Sequence, residues 1–118
     1  VYPRQVNEGT VFEIGRALGW FFSKGRIVVA RDGRRGSPKL YRAVIKGLKA
    51  NEANKLKAIE VGLATTPMFY YLVRKLKARG GVMVTASHNP KEYNGLKVVD
   101  RNAEMISGKE VLKIITNF

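Results

Sequence analysis

Thr85-Ala86-Ser87-His88-Asn89-Pro90 sets a serine hydroxyl beside the chain's only histidine, between two apolar runs, "GGVMV" and "GLKVVD". A serine there can act as a nucleophile, and the neighbours decide towards what. A Ser–His–Asp acyl-transfer site is disfavoured. The segment lacks the Gly-x-Ser-x-Gly elbow, and side chains adjacent in sequence seldom face each other productively. The plainest alternative is a turn, in which Ser87 and Asn89 bond local backbone and Pro90 stiffens it. The surroundings suggest another role, since converging cations and N–H donors suit a bound anion. Two further segments offer these, "ARDGRRGSP" at 30–38 and "GLATTP" at 62–67, both rich in Gly, Ser or Thr. Each leads into a helix start with free N–H groups, so the three loops together predict an anion site, most simply for phosphate.

Alternating periods supply the elements that must carry these loops. Thr10 with Glu13 reads as a capping box, followed by Val11, Ile14, Leu18 and Phe21 at helical spacing, with Gly25 as the stop. "RIVVA" at 26–30 reads as a buried strand, and Ser37-Pro38 as a cap with proline at the first helical position. Tyr41, Val44, Ile45 and Leu48 form the stripe of a second helix, and "LKAIEVG" at 56–62 an edge strand. Thr66-Pro67 repeats the cap-and-proline device before Phe69, Leu72, Val73 and Leu76, and Gly80-Gly81 ends that helix. "VMVT" and "GLKVVD" are the remaining strands, and Ser107 with Glu110 caps a last helix.

Single helices between strands predict an α/β domain of three layers, α/β/α, with right-handed parallel connections. The connection from Ala86 to Asn94 has nine residues, too few for a helical crossover, so the last strand runs antiparallel. The expected sheet is mixed and four-stranded, three strands parallel and one antiparallel. Ligands then collect at the carboxyl ends of the parallel strands, where all three loops emerge.

Composition bounds the rest. A chain of 118 residues fits one domain, 1–118, with a core large enough to need neither metal nor disulfide for stability. Cysteine is absent, which excludes thiol catalysis and Cys-ligated metals and is compatible with a cytoplasmic setting. No apolar run approaches the ~18 residues of a membrane span. The net charge of +13, from 22 Lys+Arg against 9 Asp+Glu, favours anionic partners, although the basic residues are scattered along the chain.

The string "TASHNP" followed by "EYNGLKV" closely resembles the phosphoserine loop of the α-D-phosphohexomutases, the phosphoglucomutase/phosphomannomutase superfamily. "VVARDGRRGSP" resembles that family's "GRDxRxSSP" segment, with Gly36 where a second serine is common, and the likeness runs from about Asn7 to the final helix. What the resemblance implies is the first of four domains around a cleft. Ser87 would carry a phosphoryl group, pass it to a hexose 1- or 6-phosphate, and recover the other phosphoryl group from the bound 1,6-bisphosphate. By the same resemblance Lys97 matches the general acid/base lysine, His88 the loop histidine near the reacting oxygens, and Arg31 the arginine beside the phosphoserine. Asp32 anchors its loop, and Thr85 and Asn89 contact substrate or phosphate. Mg²⁺ would bind Ser87 through its phosphoryl oxygen. Its carboxylate ligands belong to another domain, since this sequence has no D-G-D-x-D-R element.

The branch expected is phosphomannomutase/phosphoglucomutase, and the chain is expected to be a fragment, inactive alone, with phosphohexose and the remaining mutase domains as partners. On residue chemistry alone the alternatives are that Lys97 is a strand-surface lysine and that Arg31 and Asp32 simply pair with each other, while Ser37 and Thr66 are caps before they are anion contacts. Arg34 and Arg35 are solvated or face a missing domain. The competing reading is a stand-alone basic module for anionic partners or nucleic acid. Nucleic acid is disfavoured, because no stacking aromatics interleave with the cations.

Overall fold

The computed structural model describes residues 8–34, 36–50, 55–85 and 95–117. Its elements run α1 (Glu8–Phe22), β1 (Lys24–Arg31), α2 (Ser37–Leu48), β2 (Lys55–Leu63), α3 (Thr66–Lys75), β3 (Gly80–Val84), β4 (Leu96–Asp100), β5 (Met105–Ile106) and α4 (Gly108–Thr116). The sheet order is β2-β1-β3-β4-β5. β1 pairs parallel with β2 and β3, while β3–β4 and β4–β5 are antiparallel. The expected mixed sheet is present with five strands rather than four among the described residues. The fifth has only two residues, too short for any periodicity to announce it.

The connections explain the layers. β1 to β2 moves one way across the sheet, and β2 to β3 returns past β1 to its other side. Two crossovers of one hand in opposite directions put their helices on opposite faces. One buried cluster accordingly joins Val11, Ile14 and Leu18 of α1 and Val44 and Leu48 of α2 to Ile27, Val29 and Val82. The other joins Phe69 and Val73 of α3 to Val28, Ala30 and Met83. Successive residues of "IVVA" thus serve opposite faces, which is why the strand is apolar throughout. β2, at the edge, alternates exposed Lys55 and Lys57 with half-buried Leu56 and Ala58, as its charges suggested.

Helix ends depart from expectation in several places. α1 begins at Glu8, so Thr10 lies within the helix rather than capping it, and the Glu13 carboxylate pairs with Arg16 at 2.9 Å. Its stop is Ser23, at φ 60°, and Gly25 belongs to β1. Gly36, with no side-chain capping bond, precedes α2. Thr65 rather than Thr66 caps α3, its hydroxyl accepting from the Met68 N–H at 3.3 Å. Gly80-Gly81 opens β3 instead of closing α3. A side chain at 80 would collide with the Phe22 ring and at 81 with the Phe69 ring, so the two glycines let rings pack on both faces. The Ser107–Glu110 capping box stands as expected.

Candidate functional site

The strand register assembles the carboxyl edge. Arg31, the last residue of β1, aligns with Val84 of β3, and Val84 with Leu96 at the start of β4. Hydrogen bonds then tie the three loops together. The Ala64 N–H donates to the Arg31 carbonyl at 3.0 Å, joining the second loop to the first. The Asp32 N–H donates to the Val84 carbonyl at 2.9 Å, joining the first to the end of β3. The Thr85 N–H donates to the Gly95 carbonyl at 2.8 Å, closing the base of the third. The two residues that flank the serine-bearing segment, Thr85 and Gly95, are therefore held together. Ser87, His88 and Asn89, like Arg35, lie outside the described residues.

Asp32 acts as the anchor expected of it. Its Oδ1 accepts from the Arg34 N–H at 3.0 Å and from the Ser37 hydroxyl at 2.5 Å. Ser37 is buried, at 4% exposure, so its hydroxyl is committed to Asp32 rather than to capping α2, a correction to its reading as a cap. The amino ends of α2 and α3 open onto this edge, where their dipoles add positive potential to that of the cations.

Arg31 and Lys97 reach the edge from opposite faces. By strand alternation Arg31 follows Ile27 and Val29 towards α1 and α2, and its Nη1 donates to the Asp32 carbonyl at 3.2 Å. The bond uses the Asp32 main chain, not the carboxylate pairing considered from sequence. Lys97 aligns with Met83 on the α3 face, its Nζ 5.8 Å from the centroid of the Tyr70 ring. The two cations thus bracket the root of the 86–94 segment. Thr85 is half-buried there, and Arg34 is exposed.

Two tyrosines at this edge were not read as site residues from the sequence, Tyr41 only as part of a core stripe. Tyr41 stands four residues after Ser37 and Tyr70 four after Thr66, one helical turn in from each amino end. That spacing was the available signal. Burial is the main influence on the Tyr41 phenol and pushes its pKa above the ordinary value, with Glu60 adding to the rise. A main-chain hydrogen bond at Gly62 and the Arg31 charge oppose it.

The edge can hold an anion, but its described residues do not make a Mg²⁺ cage. Mg²⁺ asks for near-octahedral oxygen coordination. Among the described residues no three His, Cys, Asp or Glu side chains cluster to supply it, and Asp32 is occupied within its loop.

Residues 1–118 match the family described as phosphoglucomutase/phosphomannomutase, alpha/beta/alpha domain I. A probable phosphoglucosamine mutase of Pyrococcus abyssi is 46% identical over 90 residues, covering 76% of this chain and 19% of the relative. A phosphomannomutase of Escherichia coli is 41% identical over 111 residues, covering 94% of this chain and 24% of the relative. The chain therefore spans about a quarter or less of the length of these two relatives. The crystal structure of a phosphoglucomutase/phosphomannomutase family protein from Burkholderia thailandensis superposes with a TM-score of 0.76 at 32% identity, over 99% of this chain and 28% of the other. With its α/β/α layers, its mixed sheet and a match from first residue to last, the chain belongs to the phosphoglucomutase/phosphomannomutase family as a domain I.

Proposed function

We propose that this domain carries the phosphoryl-relaying serine of a hexose-phosphate mutase, with Ser87 as the residue that is phosphorylated. The observation that carries the reading is the tying of the three loops at one edge, with Arg31 and Lys97 on opposite faces of the sheet near the point where Thr85 meets Gly95. In the donating half-reaction the bond from the Ser87 oxygen to phosphorus breaks as a hexose-phosphate hydroxyl bonds to that phosphorus. The hydroxyl proton passes to a base, the departing Ser87 oxygen takes up a proton in turn, and the product is a hexose 1,6-bisphosphate. The return half-reaction moves the other phosphoryl group back to Ser87 and releases the isomeric monophosphate. Hexose 1-phosphate and hexose 6-phosphate are thereby interconverted.

The residue parts are those that the family resemblance implies, and the positions of Arg31 and Lys97 at the edge support two of them. Arg31 offsets negative charge on the equatorial oxygens of the moving group. Lys97 is the general acid/base that takes and returns the hydroxyl proton, with His88 beside the reacting oxygens. Thr85 and Asn89 contact the phosphate. Such a loose transfer depends on positioning and charge stabilisation more than on a strong nucleophile. Mg²⁺, held by a phosphoryl oxygen on Ser87 and by oxygen ligands from outside residues 1–118, would add Lewis-acid charge neutralisation. Sugar selection and grip on the distal phosphate fall to the rest of a full-length mutase, so the 118-residue chain alone should not turn over.

Intact-mass spectrometry tests the proposal. Incubation with glucose 1,6-bisphosphate should add one phosphoryl group to the wild-type chain, assigned to Ser87 by peptide fragmentation and absent from Ser87→Ala. Phosphorylation at another residue would overturn the assignment. So would an unmodified Ser87 when the partner domains of a relative are supplied.

A further inference from the structure

The opposite pole of the sheet gathers cations that the sequence scatters. Side-chain alternation places Lys24 and Arg26 on the α3 face with Val28 and Ala30, and Lys55 and Lys57 on the same face with Ile59. The register then sets Lys24 against Lys55 and Arg26 against Lys57. Like charges facing each other on adjacent strands are destabilising. Among the described residues the ion pairs, Arg16–Glu13 and Lys49–Glu60, both lie elsewhere.

Beside this row, between the end of α3 and the β4–β5 turn, is a cavity of about 540 Å³ lined by Arg74, Lys77, Arg79 and Arg101 with Asn102 and Glu104. Its volume is in the range of small-molecule sites. Arg79 joins the cavity to the row: its N–H donates to the Arg26 carbonyl at 2.8 Å, and its stem lies over Gly25. Arg74 is fixed across the opening by a bond from Nε to the Asn102 carbonyl at 3.3 Å. That bond uses one of the five donors of a guanidinium. Lys77, at φ 53°, turns the chain out of α3 into the rim. The Asp100 Oδ1 accepts from the N–H groups of Asn102, at 2.8 Å, and Glu104, at 3.1 Å, which ties that carboxylate to the β4–β5 turn. Among the described lining residues Glu104 is the one carboxylate, and it opposes an anion.

We propose that this cavity is a second anion site, remote from the Ser87 edge, for a compact ligand carrying a chain of phosphates. Guanidinium groups suit phosphate oxygens through paired N–H donors. A multiply charged phosphate chain also lowers the positive potential near Arg26, to whose carbonyl the Arg79 N–H is bonded, more than a single carboxylate would. The shared chemistry is a triphosphate, whether inorganic or the tail of a nucleotide.

Isothermal titration calorimetry on the 118-residue chain at low ionic strength, with inorganic tripolyphosphate and with metal-free ATP, tests this. One saturable site is expected. Arg101→Gln, at an exposed position, should weaken it about tenfold, and Arg79→Gln with Arg101→Gln further. Glu104→Gln should tighten it, an effect of opposite sign that a general loss of folding cannot imitate. Lys39→Gln with Arg42→Gln, on α2 across the sheet, should leave it within about twofold. Tighter binding of ATP than tripolyphosphate would make the ligand a nucleotide; equal binding would make it the phosphate chain alone. Three results overturn the proposal: binding that does not saturate, equal weakening by the α2 pair, or a short oligouridine that binds more tightly than tripolyphosphate and is indifferent to Arg79 and Arg101. The last would reveal a diffuse nucleic-acid surface instead.

Discussion

Asp32 shows how much of the edge rests on one carboxylate. It holds the first loop through Arg34 and the buried Ser37 hydroxyl, while its N–H reaches the end of β3. Asp32→Ala leaves that hydroxyl without its acceptor and should lower stability by about 1–3 kcal/mol in urea denaturation. Ser37→Ala alone should cost less, and the double variant should fall well short of the sum, because either change removes the same bond. Additive losses would mean that the two residues act separately. Tyr41 offers a pH test. Burial raises its folded pKa, so its neutral phenol contributes stability that is complete below the unfolded pKa and is lost as pH rises through the folded one. Tyr41→Phe should accordingly lose less stability than wild type between neutral and strongly alkaline pH. Equal slopes for the two proteins in that window would refute the assignment. Neither tyrosine stood out in the sequence, because an aromatic residue one turn into a helix is usual for a core stripe.

The helices were legible as elements and less so at their ends. Stripes such as Val44, Ile45 and Leu48 declare a buried face wherever a helix starts, whereas a cap depends on which hydroxyl the folded backbone presents. In "ATTP" both threonines are chemically able to cap, and tertiary packing chooses Thr65, leaving the Thr66 hydroxyl 3.8 Å from the Met83 sulfur. Thr65→Ala should therefore cost about 1 kcal/mol of thermal or denaturant stability, and Thr66→Ala clearly less. The reverse order would return the cap to Thr66. The approach of α1 to α2 was invisible for a related reason. A Cβ on Gly15 would stand 2.7 Å from the Val44 carbonyl oxygen, so this glycine marks contact between helix backbones, although in sequence it reads only as a weak helix former. β5, at two residues, is created by its pairing with β4 and carries no signal of its own.

For the molecule entire, topology and charge were legible to different degrees. The parallel core, the antiparallel last connection and the gathering of three loops at one edge follow from the order of elements and the length of one loop. Where the cations go does not follow, since a net charge of +13 is silent on whether they interleave with acids or collect at a pole. The register of β1 on β2, set by packing of the buried residues, brings Lys24 to Lys55 and Arg26 to Lys57, and the charges accept the consequence. This makes salt dependence a test of the whole fold. The chain measures 34 × 30 × 23 Å, comparable to the ~30 Å Debye length at 0.01 M salt and far above the ~8 Å at 0.15 M. In dilute buffer every cation repels every other across the molecule; near physiological salt only neighbours such as the Lys24–Lys55 pair still do. The unfolding temperature should thus rise with added NaCl, most of the gain arriving by about 0.15 M. Tripolyphosphate at equal ionic strength should raise it further, because a ligand held at one pole stabilises by mass action as well as by screening. A flat response to NaCl would mean that the folded charges are no more crowded than those of the unfolded chain, and the cost assigned to the facing lysine and arginine pairs would have to be abandoned.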